Sequence, residues 1–169
     1  EQAFFVRRII WASLLASTFI YLFILRTIPQ PPAPENGTVM LIALAVVALM
    51  CAIASFVVPR IVGRGGLRGL GLRVVPAPSF GDLPGGTTVF EDAASARQRG
   101  LGVLQTSFIL ALALREAIAI YGLVLGFQGH PLPEYIGFFV VAWLLMGLGY
   151  PTQAADDAEL EAAYGAKLV

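Results

Sequence analysis

Apolar residues fall in four long runs separated by turn-forming segments. The runs cover about residues 4–28, 38–62, 103–127 and 134–150. A helix needs about 20 apolar residues to cross a bilayer; the first three runs have them and the fourth is near the short limit. No period-2 alternation of barrel type appears, and lipid demands that each span satisfy its own backbone, so all four are predicted as helices. The first run starts with Arg7 and Arg8, as a secretory leader would. Its apolar part is longer than a leader's and no A-x-A pattern follows, so an anchored helix is expected.

The connections are unequal. TIPQPPAPENG joins the first two runs and QGHPLPE the last two. Between the pairs lies a Gly, Pro and Arg-rich stretch with RGGLRGLGLR and VVPAPSFGDLPGG, where a short hairpin around Leu83 to Thr88 is a weak expectation. After Pro151 the chain turns acidic, and AADDAELEAAYGAKL reads as a short helix with solvated faces. The predicted organisation is a first helical hairpin over 1–62, a loop over 63–102, a second hairpin over 103–152 and an acidic tail over 153–169.

Composition agrees with a chain in lipid. Hydrophobic residues make up 57%, charged residues 13%, and mean hydropathy is +0.78. Soluble domains carry about 25% charged residues. The fold class expected is an all-α membrane protein of four transmembrane helices. With four crossings, Arg7, Arg8, Arg60, Arg64, Arg68, Arg73, Arg97 and Arg99 gather on one side, and Arg26 alone lies on the other. The positive-inside rule then places both termini and the long loop in the cytoplasm, with a bacterial inner membrane as the expected location. Net charge is zero, so nothing in the charge balance argues for nucleic acid.

The two hairpins resemble each other. Leu14, Ile20 and Tyr21 recur as Leu114, Ile120 and Tyr121, and the turns read PAPE and PLPE. This spacing predicts a duplicated hairpin whose copies run parallel. They differ in charge: Leu15-Ala16 in the first copy is Arg115-Glu116 in the second, so the first reads as a degenerate copy and only the second carries the charged pair.

Arg115 and Glu116 are the outstanding candidates for function. Each ionised group at bilayer depth costs roughly 2.5–3.5 kcal/mol on insertion scales, so intramembrane charges mark sites by default. Neighbours on a helix point about 100° apart, so the two are expected to meet different partners. Other polar groups within the apolar runs are Ser13, Ser17, Thr18, Ser55 and Gln105. The only cysteine, Cys51, is expected to pack between helices. The only histidine, His130, has no partner set for a metal, and GRGGLRGLGLR lacks the context of a phosphate loop. No enzyme chemistry, cofactor or metal is expected.

The stretch RQRGLGVLQTSFILALALREAIAIYGLVLGF, residues 97–127, closely resembles the second helix of the c subunit of F-type ATP synthases, the rotor-ring proteolipid. Arg97-Gln98 matches that family's cytoplasmic loop. Gln105-Thr106 matches its helix start, and Glu116-Ala117 with Ile120-Tyr121-Gly122-Leu123-Val124 its carboxylate segment. The resemblance implies that Glu116 carries an ion, with Tyr121 and Gln105 of the matched stretch as further ion-site candidates; Arg115, beside the carboxylate, would be its gate or counter-charge. Ala117 lacks the hydroxyl of sodium-binding members, so the implied ion is a proton. A carboxyl group in low dielectric holds its proton and gives it up on meeting water or a cation. The chain departs from the family in three ways. Residues 38–62 contain no glycine for tight ring packing, the loop is long, and Arg115 has no counterpart. The reading these departures favour is a structural or accessory subunit of a larger membrane complex, with the charged pair as a polar clasp between helices or between chains. The alternative is a proton-translocating or ion-coupling subunit using Glu116. Partners expected are the bilayer and other membrane subunits or copies of this chain.

Overall fold

The computed structural model describes residues 2–32, 37–77 and 87–168. It is built from five helices and one small sheet: α1 (Gln2–Thr27), α2 (Gly37–Gly69), β1 (Val74–Pro76), β2 (Thr88–Phe90), α3 (Ala93–Phe127), α4 (Leu132–Leu148) and α5 (Gln153–Tyr164). Three helices, α1, α2 and α3, are long and apolar enough to cross a membrane. A fourth span is possible if α4 and α5, bent by 71° from each other, are counted together.

The helix α3 is the axis of the bundle, and α1, α2 and α4 all pack on it. Its Gly122 and Gly126 allow this. A Cβ on Gly122 would lie 2.9 Å from Phe138 Cβ in α4, and one on Gly126 would lie 2.6 Å from Leu25 in α1. Ile118, Leu125, Leu25, Phe139 and Ala142 form the resulting core. The apolar faces of α1 and α2 that point away from α3 stay exposed, as lipid-facing surface does. The two helix pairs are unlike: α3 and α4 pack along each other, whereas α1 and α2 each lie on α3. Two indoles tie α1 to α4. Trp143 Nε1 donates to the fully buried Thr18 Oγ1 at 2.7 Å, and Trp11 Nε1 donates to the Met146 carbonyl at 2.9 Å.

The segment expected to be a loop over 63–102 is helical at both of its ends. The helix α2 runs on through Pro59 to Gly69 and α3 starts at Ala93, capped by Asp92, whose side chain accepts from Ser95 N–H at 2.9 Å. At 33 and 35 residues these helices are roughly 50 Å long, well beyond the roughly 30 Å hydrocarbon thickness. Sequence reading placed the boundary where hydropathy falls, but helix hydrogen bonding continues past it. Gly66 lets the extensions touch, since a Cβ there would lie 2.5 Å from Val103. The antiparallel β1–β2 pair joins them, with Val75 opposite Val89. Part of the expected hairpin, 83–86, lies outside the described residues; Thr88 opens β2.

The acidic tail also departs from expectation. Thr152 caps α5 by accepting from Ala155 N–H, and Gly165 ends it in the left-handed conformation at φ 64°. The helix buries Leu160 and Asp156 against the α2 and α3 extensions instead of exposing all its faces to solvent. Leu160 joins Leu67, Phe90, Ala96, Leu104 and Ala166 in a second core. Lys167 then bonds along β2, donating to Thr88 O at 2.9 Å and accepting from Phe90 N–H.

The close approach of α1 to α3 predicts that Gly126→Val destabilises the bundle by about 1–3 kcal/mol through overpacking against Leu25. Unfolding in mixed micelles measures this. Pairing it with Leu25→Ala should recover part of the loss.

Candidate functional site

Ser17 and Tyr21 are four residues apart and therefore share one face of α1. That face meets Glu116 on α3. Ser17 Oγ donates to Glu116 Oε1 at 2.7 Å and Tyr21 Oη donates to the same oxygen at 2.9 Å. Glu116 is half-buried, and its Oε2 has no hydrogen-bond partner among the described residues. Ser17 was legible as a polar group within an apolar run. Its i, i+4 relation to Tyr21 was the signal that the two act together.

Arg115 takes the other direction, as the 100° step requires. It is 6% exposed and forms no ion pair with Glu116 or any other described carboxylate. Its guanidinium carbon lies 5.4 Å from the Phe56 ring centroid on α2. Gly149, just past the end of α4, makes room for it: a Cβ there would lie 1.7 Å from Nη1. The carbonyl end of a helix carries about half a negative charge, so the α4 C-terminus partly offsets the cation. The Arg115 Nε is buried without a hydrogen-bond partner among the described residues.

Two other expected site residues stand apart. Tyr121 sets its hydroxyl 3.7 Å from Cys51 Sγ on α2, away from Glu116. Gln105 is half-buried, its side chain without a hydrogen-bond partner among the described residues, and it lies roughly 16 Å from Glu116 along the helix axis. Arg97 and Gln98, matched by resemblance to a loop, are instead in the first turns of α3. Arg97 makes a bidentate pair with Asp157 on α5, both contacts at 3.0 Å. His130 is buried in its turn and hydrogen-bonds Glu134 at 2.6 Å.

Charge clusters where sequence reading foresaw only solvated faces. Arg7 on α1, 4% exposed, is ion-paired to Asp156 on α5, and its guanidinium lies over the Phe108 ring at 4.5 Å. Hydropathy put Arg7 at a helix end and Asp156 on a tail, and only the fold of α5 across the bundle brings them together. Glu159 sits beside them. Burial raises its carboxyl above the ordinary 4.5, as does nearby Asp156, against the pull of Arg64, Arg60 and Arg7. Burial raises the Asp156 carboxyl as well, against the pull of Arg7. Glu161 is held low by Lys167 and by the Leu168 N–H.

No protein-family model, curated protein or solved structure matches this chain.

Two predictions follow from this geometry. A double-mutant cycle of Tyr21→Phe with Glu116→Leu, which removes the acceptor, should give a coupling of about 0.6 kcal/mol and at most about 1.7, as measured for hydrogen bonds between membrane helices. A Tyr121→Phe cycle with Glu116→Leu should give none. The second concerns pH. A carboxyl with a raised folded-state value binds more protons folded than unfolded, so its contribution to stability falls as pH rises from about 4.5 through that raised value. Glu161 acts oppositely, its contribution being lost as pH falls through its lowered value. Glu159→Gln should therefore flatten the decline in melting temperature on the rising side of pH 4.5 and leave the acid side unchanged.

Proposed function

We propose that this chain is an integral membrane protein with four crossings, acting as a structural or accessory subunit of a larger membrane complex. The observation that carries this is the fate of the charged pair. Glu116 is held by two hydroxyls from α1, and Arg115 is held by an aromatic face and a helix end. Both arrangements act as joints within one protomer. Wide apolar faces on α1 and α2 leave room for neighbouring subunits as well as lipid.

The arginine distribution supports termini and the α2–α3 extensions on the cytoplasmic side. The expected bacterial inner membrane belongs to the same reading. A duplicated hairpin origin is supported by Tyr21 and Tyr121, each of which turns its hydroxyl towards a neighbouring helix. On this reading the copies have specialised: α3 carries the charges and α1 supplies the donors.

One observation favours the alternative, an ion-coupling subunit resembling a rotor proteolipid. Among the described residues Glu116 Oε2 has no donor, and the residue is only half-buried, so a cation or proton can reach it. A carboxyl-directed carbodiimide separates the two. A fixed joint predicts no labelling of Glu116 in the intact protein, with labelling appearing in Ser17→Ala, Tyr21→Phe. An exchange site predicts ready labelling that is lost as pH rises. Purification in mild detergent supplies the second arm: one copy among unlike subunits supports the accessory role, and about ten identical copies would overturn it.

A further inference from the structure

A cavity of about 280 Å³ opens at the end of the bundle where α5 crosses it. Its walls come from α2, α3, the end of α4 and α5, and Arg7 of α1 also reaches it. The lining mixes apolar groups such as Phe56 and Phe108 with Arg7, Arg60, Arg115, Asp156 and Glu159. Nothing in the Glu116 clasp contributes to it.

The charges do not cancel within the cavity. Asp156 is taken by Arg7. Glu159 feels the pull of Arg64, Arg60 and Arg7, and it forms no ion pair with Arg60 or Arg115. Arg60 is exposed at the mouth, whereas Arg115 is buried inside. Arg115 is 6% exposed, and its Nε has no partner among the described residues. A guanidinium presents several N–H groups in a planar fork that matches oxyanions, and charge-assisted contacts of this kind are about twice as strong as neutral ones. A Phe56 face and half a charge at the α4 C-terminus fill none of those donor positions. Gly149 matters for the same reason, because any side chain there would displace the guanidinium from the cavity wall.

We infer that this cavity binds a phosphate group, with Arg115 as the buried donor and Arg60 as the rim cation. The phosphate has two possible sources, a soluble phosphate and the headgroup of an anionic phospholipid. The apolar walls and the room beyond a single oxyanion accommodate either. The site would hold the middle turns of α2 and α3, the end of α4 and the start of α5 together through one ligand.

The test uses the full chain in a maltoside detergent free of phosphate. Inorganic phosphate is titrated by calorimetry, and dioleoyl phosphatidylglycerol is added to mixed micelles with retention read by native mass spectrometry. Saturable, one-to-one binding of either probe is expected. Arg115→Gln should weaken it at least tenfold, Arg115→Lys should weaken it less, and Arg26→Gln, at the opposite end of the bundle, should leave it unchanged. Binding of phosphate alone assigns a soluble source, and binding of the lipid alone assigns the headgroup. Arg60→Gln, an exposed position that does not threaten folding, should weaken binding severalfold and decides the matter if Arg115→Gln does not assemble. Absence of saturable binding by both probes, or equal binding by wild type, Arg115→Gln and Arg60→Gln, would overturn the inference and leave a water-filled cavity.

Discussion

Consecutive side chains on a helix diverge by about 100°, and α3 places two charges on consecutive positions. They cannot neutralise each other and must be satisfied separately. The bundle is arranged around that need. On one side α1 brings Ser17 and Tyr21 to Glu116. On the other, α2 brings Phe56 and the end of α4 brings Gly149 to Arg115. The helices α1, α2 and α4 therefore each answer one of the two charges. The glycines of α3 are what let α1 and α4 come close enough to do so.

A second consequence concerns the end of the bundle. The cation on Arg115 points towards the region where the long helices leave the apolar layer. There α5 folds across them, joined by the Arg7–Asp156 and Arg97–Asp157 pairs and by Leu160 in a small core. The result is two packed regions on shared helices, one apolar and one rich in paired charge. The energetics differ between them. In the apolar region helix association depends on close packing and a few hydrogen bonds. At the polar end, burial of Leu67, Phe90 and Leu160 is driven by removal of apolar surface from water.

Glu116 illustrates how far a local resemblance reaches. The carboxylate lies on α3, the helix on which α1, α2 and α4 pack. Its surroundings come from this chain's own α1, and Tyr121, which follows the carboxylate in the matched motif, serves a different contact with Cys51. The role of a carboxylate is set by what donates to it, and those donors sit about 100 residues away in sequence.

Hydropathy alone determined that this chain forms long helices suited to lipid, because in a bilayer a run of some 20 apolar residues has few other ways to satisfy its backbone. It also singled out Arg115 and Glu116, since charge within such a run is costly whatever surrounds it. The separation of the two followed from helix geometry. What hydropathy could not reveal was where the helices end: Gly37–Gly69 and Ala93–Phe127 continue into polar sequence because neighbouring helices and α5 cover them there. Nor could it show that Asp156 meets Arg7, that Gly149 shelters Arg115, or that Tyr21 rather than Tyr121 serves Glu116. Each of these depends on which faces of distant segments come together, and that is decided by packing across the bundle rather than by the order of residues within any one helix.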